Sequence, residues 1–114
     1  LKVSSMVEAF MQMIDCGLDS IYSIQRLKSF VDYDNRPLNY DPKAIPKTQD
    51  LIPIDIRSNS FYFLHKDVLK RGVLTGHNPQ PYILSDIECI DIDNSSDLEF
   101  ANMINYSHSI FPYF

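Results

Sequence analysis

Three prolines preceded by residues they constrain, Asp41-Pro42, Ile45-Pro46 and Ile52-Pro53, punctuate residues 39–53 and limit this chain more than any other feature. Each proline removes a backbone donor and pushes its predecessor towards extended geometry, so this stretch can be neither a helix nor a central strand. It is expected to be a stiff, extended excursion, with regular structure before and after it. A chain of 114 residues has room for one modest domain, so residues 1–114 are read as a single unit. Its 45% hydrophobic and 22% charged residues exclude a disordered or low-complexity class.

Before the excursion, Ser5 and Glu8 have the spacing of a capping box, which predicts a helix over residues 5–16. Val7, Phe10, Met11 and Ile14 form an apolar stripe expected to face the core, and Gly17 supplies the left-handed closing residue. Residues 20–25 read as a strand directly after this helix. A second strand over residues 28–33 and the polar turn at 34–37 suggest a hairpin.

After the excursion, residues 61–64 read as an apolar strand and residues 66–71 as a short helix with Val68 and Leu69 inward. Two more strands are expected over residues 82–84 and 87–92. A last helix opens at Ser95-Ser96-Asp97, runs to about residue 106 and presents Leu98, Ala101 and Ile104 on one face. Helices and strands in this order specify the α/β class. The apolar tail 110–114 has no place in that layout, and no internal repeat is visible.

The charge pattern excludes some functions. Ten Lys and Arg against fifteen Asp and Glu give a net charge of -5, a poor footprint for a protein that must neutralise nucleic-acid phosphates. Six of the basic residues, Arg26, Lys28, Arg36, Lys43, Lys47 and Arg57, lie between positions 26 and 57, and none follows Arg71. A basic middle and an acidic end suit a site holding a small anion at one side and a divalent cation at the other, although an uneven surface would have the same composition. No apolar run approaches the ~20 residues of a membrane helix, and the first residues lack a signal-peptide layout, so a soluble cytoplasmic protein without a membrane partner is expected. Cys16 and Cys89 have no metal-binding or redox spacing and are read as reduced and buried.

Ile90-Asp91-Ile92-Asp93 is the sharpest chemical pattern. In a strand the two isoleucines would enter the core while Asp91 and Asp93 project together from the opposite face. Two carboxylates there suit magnesium completed by substrate phosphates; an Asp-rich strand end leading into a helix cap is the alternative. A second group is cationic and polar: Lys28, Lys47, Gln49, Arg57 and Asn59. Arg57, placed just before an apolar strand, could grip a carboxylate with two parallel hydrogen bonds. His65, His77 and His108 have no metal spacing and are read as structural or exposed. With only three glycines there is no phosphate-cradling loop, and neither a serine elbow nor a Cys-His pair is present.

The segments Pro46-Lys47-Thr48-Gln49-Asp50-Leu51, Arg57-Ser58-Asn59-Ser60-Phe61 and Ile90-Asp91-Ile92-Asp93, taken in order, resemble the C-terminal half of the acylneuraminate cytidylyltransferases, also called CMP-sialic acid synthetases. The resemblance spans roughly residues 1–106. It implies part of a Rossmann-like nucleotide-diphospho-sugar transferase fold, a mixed sheet flanked by helices, with an inserted dimerisation arm over about residues 26–58. The implied reaction is transfer of CMP from CTP to a nine-carbon α-keto acid sugar, releasing pyrophosphate with Mg2+. By resemblance, Asp91 and Asp93 would bind the metal and act with Arg57 in catalysis. Lys28, Lys47, Gln49, Arg57 and Asn59 would bind substrate, with Lys28 reaching into the site of a homodimer partner.

The sequence departs from the family pattern in three places. Lys47 stands where many relatives have Arg, Ser60-Phe61 replaces a Gly-Ala pair, and the glycine- and lysine-rich CTP-binding motif is absent. The chain is therefore expected to be the sugar-side part of a longer enzyme, inactive alone, and its sugar is left open among nonulosonic acids. The alternative is a non-catalytic sugar-binding or oligomerisation module derived from the same fold.

Overall fold

The computed structural model describes residues 1–110. The order is α1 (Val3–Asp15), β1 (Ser20–Leu27), β2 (Asp32–Tyr33), β3 (Arg36–Pro37), β4 (Ile54–Leu64), α2 (Lys66–Lys70), β5 (Pro79–Leu84) and α3 (Ser95–Ile110). Single 3-10 turns occupy Thr48–Asp50 and Ile87–Cys89. The tail 110–114, apart from the helical backbone of Ile110, and the side chain of His108 lie outside the described residues.

The α/β class is as expected, and the sheet is mixed. Its order is β4-β1-β5, with β1 antiparallel to β4 and parallel to β5. The parallel pair requires a crossover, supplied by β4 and α2. α1 lies against the sheet, where Ala9, Ile21, Phe61 and Leu84 form a buried cluster with Met6, Met13, Phe63, Tyr82 and Cys89 packed on it. The rings are inclined rather than stacked: Phe10 meets Phe63 edge-on at 5.6 Å, and Phe61 lies 5.1 Å from Phe63.

Several local expectations are corrected. Helix α1 begins at Val3 with Lys2 as its cap and no side-chain cap bond. Ser5 turns inward and donates to the Glu88 carboxylate at 2.7 Å, so the Ser5–Glu8 box does not form. The stripe Val7, Phe10, Met11 and Ile14 faces outward, and the sheet takes the face carrying Ser5 and Ala9 instead. A small pair of side chains lets the helix approach the sheet closely, and the bond from Ser5 to Glu88 fixes its rotation. Gly17 closes the helix as expected, at φ +63°.

The first strand is longer than expected, and the second shrinks to the two residues of β2. β2 and β3 do form a hairpin, turned by Asp34 and Asn35 at φ +51° and +62°, the signature of a type I′ turn. β4 takes in Arg57, which therefore sits within a strand rather than before one. In α2 Val68 is buried, but Leu69 is exposed. Residues 87–92 are not a strand: a 3-10 turn is followed by an irregular extended segment. Cys16 is exposed and Cys89 half-buried; both are free thiols.

Residues 39–53 are irregular apart from a turn closed by the Ala44 amide on the Asp41 carbonyl and the 3-10 turn Thr48–Asp50, as the prolines require. What organises them is Asn39. Its Oδ1 accepts the Val31 amide at 2.9 Å, and its Nδ2 donates to the Ser29 and Ile52 carbonyls at 2.8 and 3.0 Å. One buried amide thus closes the excursion on itself. Among the described residues, no helix is long and apolar enough to cross a membrane.

Candidate functional site

A break in the β1–β4 ladder creates the local geometry that matters most. Pairing runs from Ser20 opposite Leu64 to Tyr22 opposite Tyr62, then resumes at Ile24 opposite Arg57. Residues 58–61 of β4 therefore bulge out against Ser23 alone. Asn59 sits in the bulge at φ +57°, a left-handed conformation that asparagine tolerates better than most residues with a Cβ. The Tyr62 hydroxyl donates to Asn59 Oδ1 at 2.6 Å and fixes the orientation of that amide.

The bulge borders a cleft of about 240 Å³ whose lining includes Ser58, Asn59 and Ser60 from β4 together with Leu1, Glu88, Ile90 and Asp91. Asp91 also lines a neighbouring cleft of about 390 Å³ with Gln25, Asp86 and Asp97. Asn59 and Asp91, separate in the sequence, are thus brought to one cavity. Its floor carries Glu88, which is buried. Burial raises the carboxyl pKa of Glu88, but hydrogen bonds from the Ser5 hydroxyl, the Lys2 amide and the Ser85 hydroxyl outweigh it and hold the group below its ordinary value. The carboxylate is structural: it ties the start of α1 to the 3-10 turn.

The remaining residues of interest form separate groups. The Arg57 guanidinium lies 4.0 Å over the Tyr22 ring, and its Nη1 donates to Thr75 Oγ1 at 2.9 Å. It is exposed, with a fork still open to an anion. Lys28 Nζ donates to the Gln49 carbonyl at 3.0 Å, so these two meet at the base of the excursion. Beside them Arg26 and Asp55 form a bidentate pair at 2.8 and 3.0 Å that staples the two ends of the excursion across the sheet. The hydrogen bond to Arg26 holds the Asp55 carboxyl below its ordinary value. Lys47 is exposed, and its carbonyl accepts the Asp50 amide in the 3-10 turn.

Asp91 and Asp93 are both exposed, in the segment that was expected to be a strand. The alternation argument that would put their carboxylates side by side therefore does not apply. Asp93 instead enters the start of α3, where its amide and that of Asn94 donate to Asp97 Oδ2 at 3.0 and 3.2 Å. Asn94 Oδ1 accepts the Asp97 amide in return, so the reciprocal cap that the sequence suggested for α1 is found at α3. Among the described residues there is no group of three or more His, Cys, Asp or Glu able to hold a metal. The donors present are hard carboxylate oxygens, a set that suits magnesium where phosphate oxygens complete its shell.

Burial, and then the nearby Asp86 and Glu88 charges, push the Cys89 thiol above its ordinary value, the direction opposite to that of an activated nucleophile. His65 and His77 are exposed, as expected. Sequence reasoning missed Ser23, Tyr62 and Glu88, whose roles depend on strand register and on contacts between distant segments. The one available signal was Ser58-Asn59-Ser60, polar residues interrupting an apolar strand pattern.

No family model matches the chain. It is similar to N-acylneuraminate cytidylyltransferase A of Danio rerio, with 28% identity over 109 residues that cover 89% of this chain and 25% of the relative. The chain spans about a quarter of the length of the curated relative it matches. Over most of its length, then, this chain is similar to one part of an acylneuraminate cytidylyltransferase.

Proposed function

We propose that this chain is the sugar-side part of a cytidylyltransferase that transfers CMP from CTP to an acylneuraminate-like nonulosonic acid and releases pyrophosphate. The similarity to a protein named for that activity supports the reading. The geometric observation that carries it is the cleft shared by the Asn59 bulge and Asp91. Hydroxyls, an amide and a carboxylate lining one cleft match the many hydroxyl groups of a nine-carbon sugar.

In this reading Arg57, with its fork open to solvent, holds the sugar carboxylate, and Asn59 donates to the sugar from the bulge. Lys28, Lys47 and Gln49 ride on the excursion and contribute to substrate binding across a homodimer, residues 26–58 being its dimerisation arm. Asp91 and Asp93 would hold Mg2+ together with CTP phosphates; bound there, the ion would neutralise charge building on the transferred phosphoryl group. The reading includes a cytoplasmic location for the reaction.

The test is titration of N-acetylneuraminate into the 114-residue chain, followed by NMR. Saturable shifts around residues 57–62, reduced about tenfold in affinity by Arg57→Ala, are expected, since a charge-assisted pair contributes on the order of 1.5–3 kcal/mol. Shifts that ignore both Arg57→Ala and Asn59→Ala would remove the sugar site from this face.

A further inference from the structure

Ser23 is 1% exposed and is the one residue of β1 that faces the whole bulge. Its hydroxyl oxygen accepts from the Ser58 hydroxyl at 2.6 Å and from the amides of Ser60 and Phe61, both at 3.1 Å. It donates in turn to the Phe61 carbonyl at 3.3 Å. A bulge removes amides from the ladder, and buried amides without acceptors are costly. Here a single side-chain oxygen replaces the missing ladder carbonyls. The sheet then closes again at Ile24 opposite Arg57 without a further break.

We infer that Ser23 is a positioning residue for the sugar site: its hydroxyl sets the bulge that places Asn59 in the cleft it shares with Asp91. This rests on the cleft being the sugar site. Three observations converge on it. The hydroxyl is buried and fully engaged, so it is not itself a ligand group. Every bond it makes goes to the segment that flanks Asn59. Removing the hydroxyl leaves the Phe61 amide unpaired and the Ser60 amide with only the Ser58 hydroxyl at 3.4 Å, and the cheapest relief is for β4 to slip towards regular pairing, which rotates successive side chains to the other face. Asn59 would then leave the cleft while Arg57, beyond the bulge on the resumed ladder, keeps its partners Tyr22 and Thr75.

The test uses the 114-residue chain with Ser23→Ala, Ser23→Thr, Asn59→Ala and, as a core-destabilising control, Leu84→Ala. Amide hydrogen exchange at Ser60 and Phe61 should accelerate about tenfold in Ser23→Ala relative to the flanking ladder amides, as expected for losing one hydrogen-bond acceptor. The affinity for N-acetylneuraminate should fall by a similar factor, and Ser23→Thr, which keeps the hydroxyl, should recover both. Unchanged exchange at Ser60 and Phe61, or an affinity loss no larger than that of Leu84→Ala, overturns the inference. Sugar binding that Asn59→Ala abolishes but Ser23→Ala spares overturns the positioning role alone. Failure of the unsubstituted chain to bind the sugar overturns the functional reading and this role with it.

Discussion

Asp19 shows how much one carboxylate can organise. It accepts the His77 amide at 2.7 Å, the Asn78 amide at 3.1 Å and the Ser20 hydroxyl at 3.0 Å, while Ser20 Oγ accepts the Gly76 amide at 2.9 Å. These bonds fix the loop that delivers the chain into β5. Burial would raise the carboxyl pKa, but the His77 amide, the Ser20 hydroxyl and the Asn78 amide bring it below its ordinary value. A Cβ at Gly76 would collide with that carboxylate, whose hydrogen bonds leave it no room to retreat. Gly76→Ala is therefore expected to lower the urea midpoint, because the added Cβ displaces the Asp19 carboxylate from the amides it accepts. An unshifted midpoint would mean that Asp19 moves freely. Glu88 and Asp19 both have lowered values in the fold. A depressed folded value contributes stability that is present above the unfolded value of about 4 and is lost as the pH falls through the folded one. Stability should therefore decline below about pH 4, and Glu88→Gln should flatten part of that decline; an equally steep profile in the variant would exclude Glu88 as a source. A glycine is visible in any sequence, but that Gly76 must be glycine depends on Asp19 lying against it.

Helix α1 separates what periodicity reveals from what it conceals. Its sequence is apolar on more than one side, since Met6, Ala9 and Met13 form a second stripe beside Val7, Phe10, Met11 and Ile14. Sequence spacing correctly gives a helix, but it does not choose between two adjacent apolar faces. Ser5 and Ala9 decide, because the small face docks closest and Glu88 holds it there. The consequence is an inverted mutational pattern. Ala9→Leu, at a site with no exposure, is expected to cost about 1–3 kcal/mol by overpacking. Ile14→Ser, at a position 58% exposed, should cost no more than roughly 0.5 kcal/mol, as for surface substitutions in general. Thermal or urea denaturation of both variants checks this, and the reverse order would restore the larger stripe to the core. The candidate site has the same division. Asn59, Arg57 and Asp91 could be singled out as residue types, yet the misread strand at 87–92 shows why their arrangement could not. Ile90-Asp91-Ile92-Asp93 alternates perfectly, but both neighbours of the central strand are already β4 and β5. With the adjacent residues committed to a 3-10 turn and a helix cap, the segment pairs with neither of the outer edges that β4 and β5 leave open.

At the scale of the molecule, the chain divides into a sheet and an excursion joined at a narrow neck. The excursion taken together with the hairpin before it, residues 28–53, buries only Asn39 and Leu51, and its own contacts are local: the Asn39 bonds, the edge-on pair of Phe30 and Tyr40 at 5.1 Å, and the β2–β3 hairpin. Its neck is the Arg26–Asp55 pair and the last rungs of β1 with β4, Arg26 opposite Asp55 and Leu27 opposite Ile54. That neck is exposed, so the ion pair itself adds little to stability, and what aligns the two strands is the ladder. A segment with so little burial should open without unfolding the sheet, as low-density regions do in native-state exchange. The prolines made its extended course legible, but not its closure, because Asn39 joins backbone groups from both ends of the loop. In the proposed reading this separation has a functional side: Lys28, Lys47 and Gln49 travel with the excursion, whereas Arg57 and Asn59 are fixed to β4, so the groups assigned to substrate on the two parts need not be rigidly aligned before binding. The division yields a sharp expectation for Asn39→Ala. Limited proteolysis within residues 28–53 should become about tenfold faster, since the loss strands three backbone partners of one buried amide. The urea midpoint followed through the core, by contrast, should stay within roughly 0.5 kcal/mol of the unsubstituted chain, because no contact of the Ile21–Phe61–Leu84 cluster is touched. A midpoint that falls as far as it does in Phe61→Ala would show that the excursion and the sheet unfold as one unit, and Lys28, Lys47 and Gln49 would then be held in a single fixed frame with Arg57 and Asn59.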